Sequence, residues 1–129
     1  MRKSIVIIII CVVGLIAILL TKAPSEDSVA GEYRRTFLGV NERITLERTG
    51  KLHQVLVYPD GKQWAADGHW EIDGHSVMLI DCLYYFDDDK WSLLTPPKPV
   101  MGIRFAVRGN SLTRELGTAF EKMPLSKNP

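Results

Sequence analysis

The chain contains only two cysteines among its 129 residues. One of them, Cys11, lies in an apolar N-terminal segment, so Cys82 has no partner in the rest of the chain. This count excludes an intramolecular disulfide after the apolar segment. A domain of about 95 residues can bury about two thirds of its surface without such cross-links. We therefore expect a hydrophobic core to hold it together.

An excess of either charge is also absent after the apolar segment. From Gly31 to the C-terminus, 13 Lys and Arg residues stand against 13 Asp and Glu residues. A neutral domain does not attract nucleic acid or an anionic bilayer over long distances. We expect no nucleic-acid partner.

The sequence has no recognisable signature of a catalytic or metal site. It contains no Gly-x-Ser-x-Gly elbow and no paired carboxylates in a glycosidase-like context. His53, His69 and His75 lack the spacing of zinc ligands, and the acidic run 87–89 lacks the alternating oxygen ligands of a calcium loop. We expect no enzyme activity, no metal and no cofactor.

The long apolar run is at the N-terminus, where Arg2 and Lys3 precede residues 5–20, which carry no charge. A helix of this length rises about 24 Å, less than the roughly 30 Å hydrocarbon layer, although Lys3 and Lys22 could reach the two interfaces. Residues 1–21 are therefore expected to be either a membrane anchor or a cleaved signal peptide. Either one places the following domain outside the cytoplasmic membrane, in the periplasm or secreted, because the positive end stays in the cytoplasm.

The pattern changes twice after the apolar segment. Residues 22–30 are polar, contain proline and have no periodicity, which is typical of a linker. Residues 31–123 alternate apolar and polar positions in short segments, and the tail 124–129 is again unpatterned. Turn signals at Pro59–Lys62 and Gly109-Asn110 separate such segments.

This alternation predicts an all-β domain formed by an antiparallel meander of about eight strands. Closure into a barrel is favoured over a sandwich, because an open meander would leave two long edges unpaired. One N-terminal hydrophobic helix precedes the domain. The segment 95–99, "TPPKP", is predicted to be an extended loop.

The stretch "QWAADGHWEIDG" is predicted to be a strand that ends in a two-residue hairpin at Asp73-Gly74. This register pairs Trp70 with Val77 and places Trp64 and Trp70 on the core face. Gly68, in the middle of the strand, would bend the sheet or let a neighbouring ring lie against it.

The order of Gly31-Glu32-Tyr33, the turn at Gly50, "DGK", "DGHWEIDG" and "VML" resembles bacterial extracytoplasmic lipocalin-like domains over most of residues 31–123. Those domains are small antiparallel barrels. The resemblance implies binding of a small apolar or amphipathic ligand and brings no catalytic residues. In lipocalins a late arginine lies across the ring of a Gly-x-Trp motif, and by this resemblance Arg114 would lie across Tyr33.

Two arginines fall in predicted apolar rows. A hairpin at Gly109-Asn110 places Arg114 opposite Phe105, and Arg35 lies between Tyr33 and Phe37. Both need partners, because an unpaired buried charge costs several kcal/mol. Either the two guanidinium groups hold a carboxylate or phosphate head in a cavity, or they stack on rings or reach out at the barrel rim. The candidate ligand-facing residues are Arg35, Arg114, Tyr33, Trp64, Trp70 and Phe105.

The segment 79–86, "LIDCLYYF", with Trp91 is apolar on both predicted faces. Either a loop such as 95–99 covers its outer side, or this patch docks onto a partner or the bilayer.

We expect a non-enzymatic binding or accessory module, anchored in the membrane or exported, that holds a small amphipathic ligand or contacts an envelope protein. The alternative is a structural or interaction protein with a filled barrel and no ligand. The volume left inside the barrel distinguishes the two.

Overall fold

A computed structural model describes residues 2–21, 23–114 and 119–124, in which two helices precede eight strands. The strands pair antiparallel in chain order, and β8 returns to β1, with Tyr33 opposite Lys122, so that the sheet closes into a barrel. This closure confirms the predicted all-β barrel. The elements are α1 (Arg2–Thr21), α2 (Glu26–Val29), β1 (Gly31–Phe37), β2 (Val40–Leu46), β3 (Lys51–Val57), β4 (Gln63–Asp73), β5 (Ser76–Asp87), β6 (Ser92–Arg108), β7 (Ser111–Thr113) and β8 (Phe120–Lys122).

The core lies inside the barrel because alternate side chains of each strand point inward. In β2, the buried Val40, Ile44 and Leu46 alternate with more exposed neighbours. The Phe105 and Phe120 rings meet edge to face at 5.4 Å. A second buried cluster lies apart from this main core and consists of Val40, Leu56, Tyr58 and Tyr85, with the partly buried Phe37, Trp64, Leu83 and Leu93.

Helix α2 lies in the segment 22–30 that the sequence predicts to be a linker. Ser25 caps the helix, and Val29 is buried in the main core. The Tyr33 hydroxyl donates a 2.6 Å hydrogen bond to the carbonyl of Val29. The end of this segment is therefore packed against the barrel.

The cation beside Tyr33 is a lysine from β8. The Lys122 Nζ lies 6.0 Å from the centre of the Tyr33 ring and donates a 2.8 Å hydrogen bond to the Ser28 carbonyl. The expectation that Arg114 lies across this ring is wrong, because the closing register sets Lys122 opposite Tyr33.

The β4–β5 hairpin has a register two residues away from the predicted one. Trp70 pairs with Leu79 and not with Val77, because the turn residues are Gly74 and His75. Gly74 has a φ of +62° at the first turn position, as a type II′ turn requires. A shift of two residues leaves the faces unchanged, so Trp70 is buried as predicted.

The β6–β7 hairpin has the predicted register, with Val107 opposite Leu112. Of the predicted tail 124–129, the part after residue 124 lies outside the described residues.

Strand β5 bends away from β4 at Asp81, whose φ of +57° lies in the left-handed region. The β4–β5 ladder ends at His69 and Ile80, while β5 continues beside β6. At this bend the main chain of β5 lies against Gly68, where a Cβ would come within 2.1 Å of the Ile80 carbonyl oxygen. The space beside Gly68 is occupied by the main-chain carbonyl groups of Ile80 and Asp81, where the sequence offered a bend or a neighbouring ring.

Residues 95–99 belong to β6 and are not a loop. Leu83 pairs with Pro99 and Tyr84 with Lys98, so this segment lies beside β5 and not over its face. In the described residues, β7 pairs only with residues 106–108 of β6, so residues 95–99 have a strand neighbour on one side only. Proline is tolerated in such an edge position, because the N–H donor that it lacks is not needed on the open side.

Helix α1 contains the predicted membrane segment. The side chains described for it, residues 7–16, are exposed and almost all large and apolar. In the described part of the chain, no helix combines the length and the hydropathy that a bilayer span requires.

Candidate functional site

A cavity of about 770 Å³ opens in the barrel wall. Its lining includes Leu79 and Phe105, which face inward, and also Arg104, which alternates with Phe105 and is exposed. The cavity therefore reaches from the barrel interior to the surface. Its lining residues are Arg35, Phe37, Glu42, Gln54, Ser76, Leu79, Cys82, Leu83, Tyr84, Tyr85, Phe86, Asp88, Ile103, Arg104, Phe105, Ala106, Arg108, Thr113 and Arg114.

Gln54 provides hydrogen bonds to main-chain groups of β5 that lose their strand partner at the bend. Beyond Asp81, β5 has lost its pairing with β4. The Gln54 side chain accepts a 2.7 Å bond from the Leu83 N–H and donates a 3.0 Å bond to the Leu83 carbonyl. Gln54 is only 2% exposed, so its amide takes the place of a strand neighbour for the partly buried main-chain groups of Leu83.

Glu42 is the centre of a buried polar network on the cavity wall. Its Oε1 accepts hydrogen bonds of 2.8 Å from Arg35 Nε and from the Tyr85 hydroxyl. Its Oε2 accepts a 2.7 Å bond from Gln54. Burial raises the pKa of Tyr85, and the negative charge of Glu42 raises it further, so this hydroxyl stays protonated and continues to donate.

The charge of Arg35 is balanced inside the protein. Besides its bond to Glu42, its guanidinium lies 4.1 Å from the centre of the Phe120 ring. The Arg35 side chain is 11% exposed. This geometry is that of a structural arginine that pairs with a carboxylate and stacks on a ring.

Arg114 lies at the mouth of the cavity and is exposed. Its guanidinium is 5.7 Å from the centre of the Phe105 ring and 5.9 Å from that of Tyr84. Among the described residues, no carboxylate forms an ion pair with it. The Tyr84 hydroxyl donates a 2.9 Å bond to Asp88 beside it. Burial is the main cause that raises the pKa of Tyr84, and the hydrogen bond to Asp88 raises it further.

The charged side chains of the lining are mostly positive. Arg104 forms a 2.6 Å ion pair with Asp73. Four arginines and two carboxylates line the cavity: Arg35, Arg104, Arg108, Arg114, Glu42 and Asp88. This balance favours a negatively charged guest over a positive one.

Of the six candidate residues, Arg35, Phe105 and Arg114 meet at the cavity, and Tyr33, Trp64 and Trp70 lie elsewhere. The Trp70 indole donates a 2.7 Å bond to the Glu47 carbonyl. Burial raises the pKa of Tyr33 to about 12. The Trp64 indole nitrogen is buried and has no hydrogen-bond partner among the described residues.

Glu42 is not identified from the sequence, because no recognised turn signal marks where β1 ends and β2 begins. The turn consists of Leu38 and Gly39, and the first pair after it is Phe37 with Val40. This register sets Arg35 directly opposite Glu42. Extending the two-residue period backward from Ile44 would have placed Glu42 in the barrel interior.

The histidines and the acidic run have local roles. His53 forms hydrogen bonds with Asp67 and with Glu47 on the barrel exterior. The Asp87 carboxylate accepts bonds from the N–H groups of Asp89 and Lys90, which closes the β5–β6 turn. In the described ranges, no three His, Cys, Asp or Glu side chains are placed to hold a metal ion.

Comparisons with protein-family models, curated proteins and solved structures gave no match for this chain. The closed antiparallel barrel of eight strands is consistent with a small lipocalin-like barrel.

Proposed function

We propose that this protein is a non-enzymatic binding module that holds one small amphipathic molecule in the barrel cavity. The observation that carries the proposal is a continuous space of about 770 Å³ that runs from interior residues to the arginines at the surface. Ligand pockets in proteins usually measure about 300–1,000 Å³.

The chemistry of the walls also supports an amphipathic guest. Leu79, Ile103 and Phe105 provide apolar surface, and the arginines at the mouth provide polar contacts. Apolar walls with a few placed polar groups are typical of sites that orient a small molecule.

We further propose that residues 1–21 carry the domain out of a bacterial cytoplasm, as an anchor or as a cleaved signal. The apolar side chains exposed on residues 7–16 and the charges of Arg2 and Lys3 ahead of them support this location. The cavity would then face the periplasm or the medium.

Saturable binding of a neutral apolar probe, N-phenyl-1-naphthylamine, tests the proposed function. The full chain is placed in zwitterionic lipid nanodiscs, and empty nanodiscs give the background. We expect a saturable 1:1 component that Ile103→Trp abolishes by filling the cavity. The matched control is Met101→Trp, because Met101 is 88% exposed on the same strand and does not line the cavity.

Two results would overturn the proposed function. One is the absence of any saturable component, and the other is equal binding by the two tryptophan variants. Because Ile103→Trp could fail to fold, probe-induced NMR shifts in the wild type provide a second measurement. They should be largest at Leu79 and Phe105.

The alternative function, an interaction protein without a ligand, is favoured by one observation. Trp91 is 68% exposed at the β5–β6 turn, where it packs edge to face on Phe86 at 5.6 Å. Aromatic residues held on a surface in this way are enriched at protein interfaces. If no probe binds, Trp91 becomes the first residue to replace in a search for a partner.

A further inference from the structure

The two arginines that the cavity brings together differ in how their charge is balanced. Arg35 is largely buried, pairs with Glu42 and stacks on Phe120. Arg114 is exposed and has no carboxylate partner among the described residues. The positive charge of Arg35 is therefore balanced by Glu42, whereas the positive charge of Arg114 is not balanced by a carboxylate among the described residues.

Arg114 is nevertheless held in place. The Phe105 and Tyr84 rings lie within 6 Å of its guanidinium and attract it without neutralising it. The Tyr84 hydroxyl in turn donates to Asp88, which fixes this ring. Such a supported guanidinium loses little freedom when it binds an anion.

The neighbouring charges also favour an anion at the mouth. Arg108 lines the cavity, and among the described residues it too forms no ion pair with a carboxylate. Asp88 is the carboxylate of the lining that lies outside the Glu42 network. The apolar side chains of Phe105 and Ile103 continue inward from Arg114.

We infer that the guest is an anionic amphiphile whose head group is bound by Arg114 at the mouth, with its apolar chain along Phe105, Ile103 and Leu79. This inference rests on the proposed function and adds the charge and the orientation of the ligand to it. Arg35 is a structural residue of the wall and does not bind the head group.

Displacement of N-phenyl-1-naphthylamine from the full chain tests this inference. Dodecanoate, dodecanol and acetate are compared at pH 8.5 in zwitterionic nanodiscs. We expect dodecanoate to bind about tenfold more tightly than dodecanol, which corresponds to one charge-assisted contact. Acetate, which has no apolar chain, should not displace the probe.

Variants of Arg114 locate the head group. Arg114→Gln should weaken dodecanoate binding about tenfold and leave dodecanol binding unchanged, while Arg114→Lys should restore part of the loss. The matched control is Arg48→Gln, because Arg48 is an exposed arginine that pairs with Asp27 and does not line the cavity. It should leave both affinities unchanged.

The outcomes separate the inference from the proposed function. If the probe binds but dodecanoate and dodecanol compete equally, or if Arg114→Gln weakens both alike, the inference is wrong and the proposed function stands. If acetate competes as well as dodecanoate, the site binds simple anions, and the inference is again wrong. If the probe does not bind at all, the proposed function and the inference are both wrong.

Discussion

Glu42 lies directly opposite Arg35 in the β1–β2 hairpin, and its carboxylate accepts a 2.8 Å hydrogen bond from the Arg35 Nε inside the barrel. The same carboxylate also binds Gln54 of β3 and Tyr85 of β5. One residue, only 3% exposed, therefore connects four strands, including the half of β5 that has left β4. The wall of the cavity depends on this connection.

Replacement of Glu42 should strongly destabilise the protein. In Glu42→Leu, the largely buried guanidinium of Arg35 loses its bond to the Glu42 carboxylate. We expect the free energy of unfolding, measured by urea denaturation, to fall by about 3–5 kcal/mol. The double variant Arg35→Met/Glu42→Leu should recover most of this loss, because no buried charge remains.

The control for Glu42 is the exposed ion pair of Glu32 and Arg34, which are 35% and 56% exposed. Glu32→Leu should cost less than about 1 kcal/mol. Equal losses from Glu32→Leu and Glu42→Leu would contradict a special role for the buried pair.

Gln54→Leu should weaken the bent half of β5 specifically. Both main-chain groups of Leu83 would lose their partner, and a buried unsatisfied group costs about 1–3 kcal/mol. We expect hydrogen exchange at the Leu83 amide, measured by NMR, to accelerate far more than exchange at Leu79. Gln63→Leu, at an exposed glutamine, should change neither amide. Uniform acceleration along β5 would show that Gln54 supports the whole barrel and not this segment.

Gly68→Ala tests the close approach of β4 and β5. The new Cβ would lie 2.1 Å from the Ile80 carbonyl oxygen, so the main chain must move. We expect a loss of about 3 kcal/mol in urea unfolding. Gly102→Ala is the matched control, since its nearest atom is the Met78 sulfur at 3.1 Å, on a flexible side chain. It should cost less than about 1 kcal/mol, and a similar loss in both variants would contradict the argument.

Most of the architecture follows from local rules. Alternation and turn signals predict the strands, their order and the buried face of Trp70, because a period of two and short turns leave few topologies. The predicted register of β4 and β5 fails by two residues, since Gly74 takes the first turn position and not the second.

The features that shape the cavity depend on distant residues. Asp81 adopts a left-handed conformation, which its sequence neighbours do not indicate, and the freed groups of Leu83 are satisfied by Gln54, 29 residues away. The prolines of 95–99 suggest a loop locally, although pairing on one side suffices for a strand. The burial of Glu42 is not predicted because the turn before it carries a leucine, Leu38, where glycine or asparagine is usual.

The turn between β1 and β2 is a site where a substitution should stabilise the protein. Leu38 and Gly39 have φ values of +53° and +76°, as in a type I′ turn. Because asparagine tolerates the left-handed region better than leucine, Leu38→Asn should raise the free energy of unfolding by about 0.5–1 kcal/mol. Leu38→Ala keeps the Cβ penalty and should not stabilise. A gain of the same size in both variants would point to removal of an exposed leucine and not to the turn.

His53 should make the stability of the barrel depend on pH. Its hydrogen bond to Asp67 is the main cause that raises the pKa of His53 above its ordinary value of 6.5, and the bond to Glu47 adds to it. Folding therefore favours the protonated imidazole. The resulting stabilisation is fully present below about pH 6.5, the unfolded value, and is lost as the pH rises through the higher folded value.

Thermal unfolding of the wild type and of Asp67→Asn, followed between about pH 5.5 and pH 9, tests this dependence. Because the variant lacks the main cause of the shift, the difference in Tm should be largest at the acidic end and should shrink as His53 loses its proton. An NMR titration of the His53 ring should show a pKa above 6.5 in the wild type and a lower one in Asp67→Asn. A Tm difference that stays constant over this range would mean that Asp67 stabilises the sheet without involving the charge on His53.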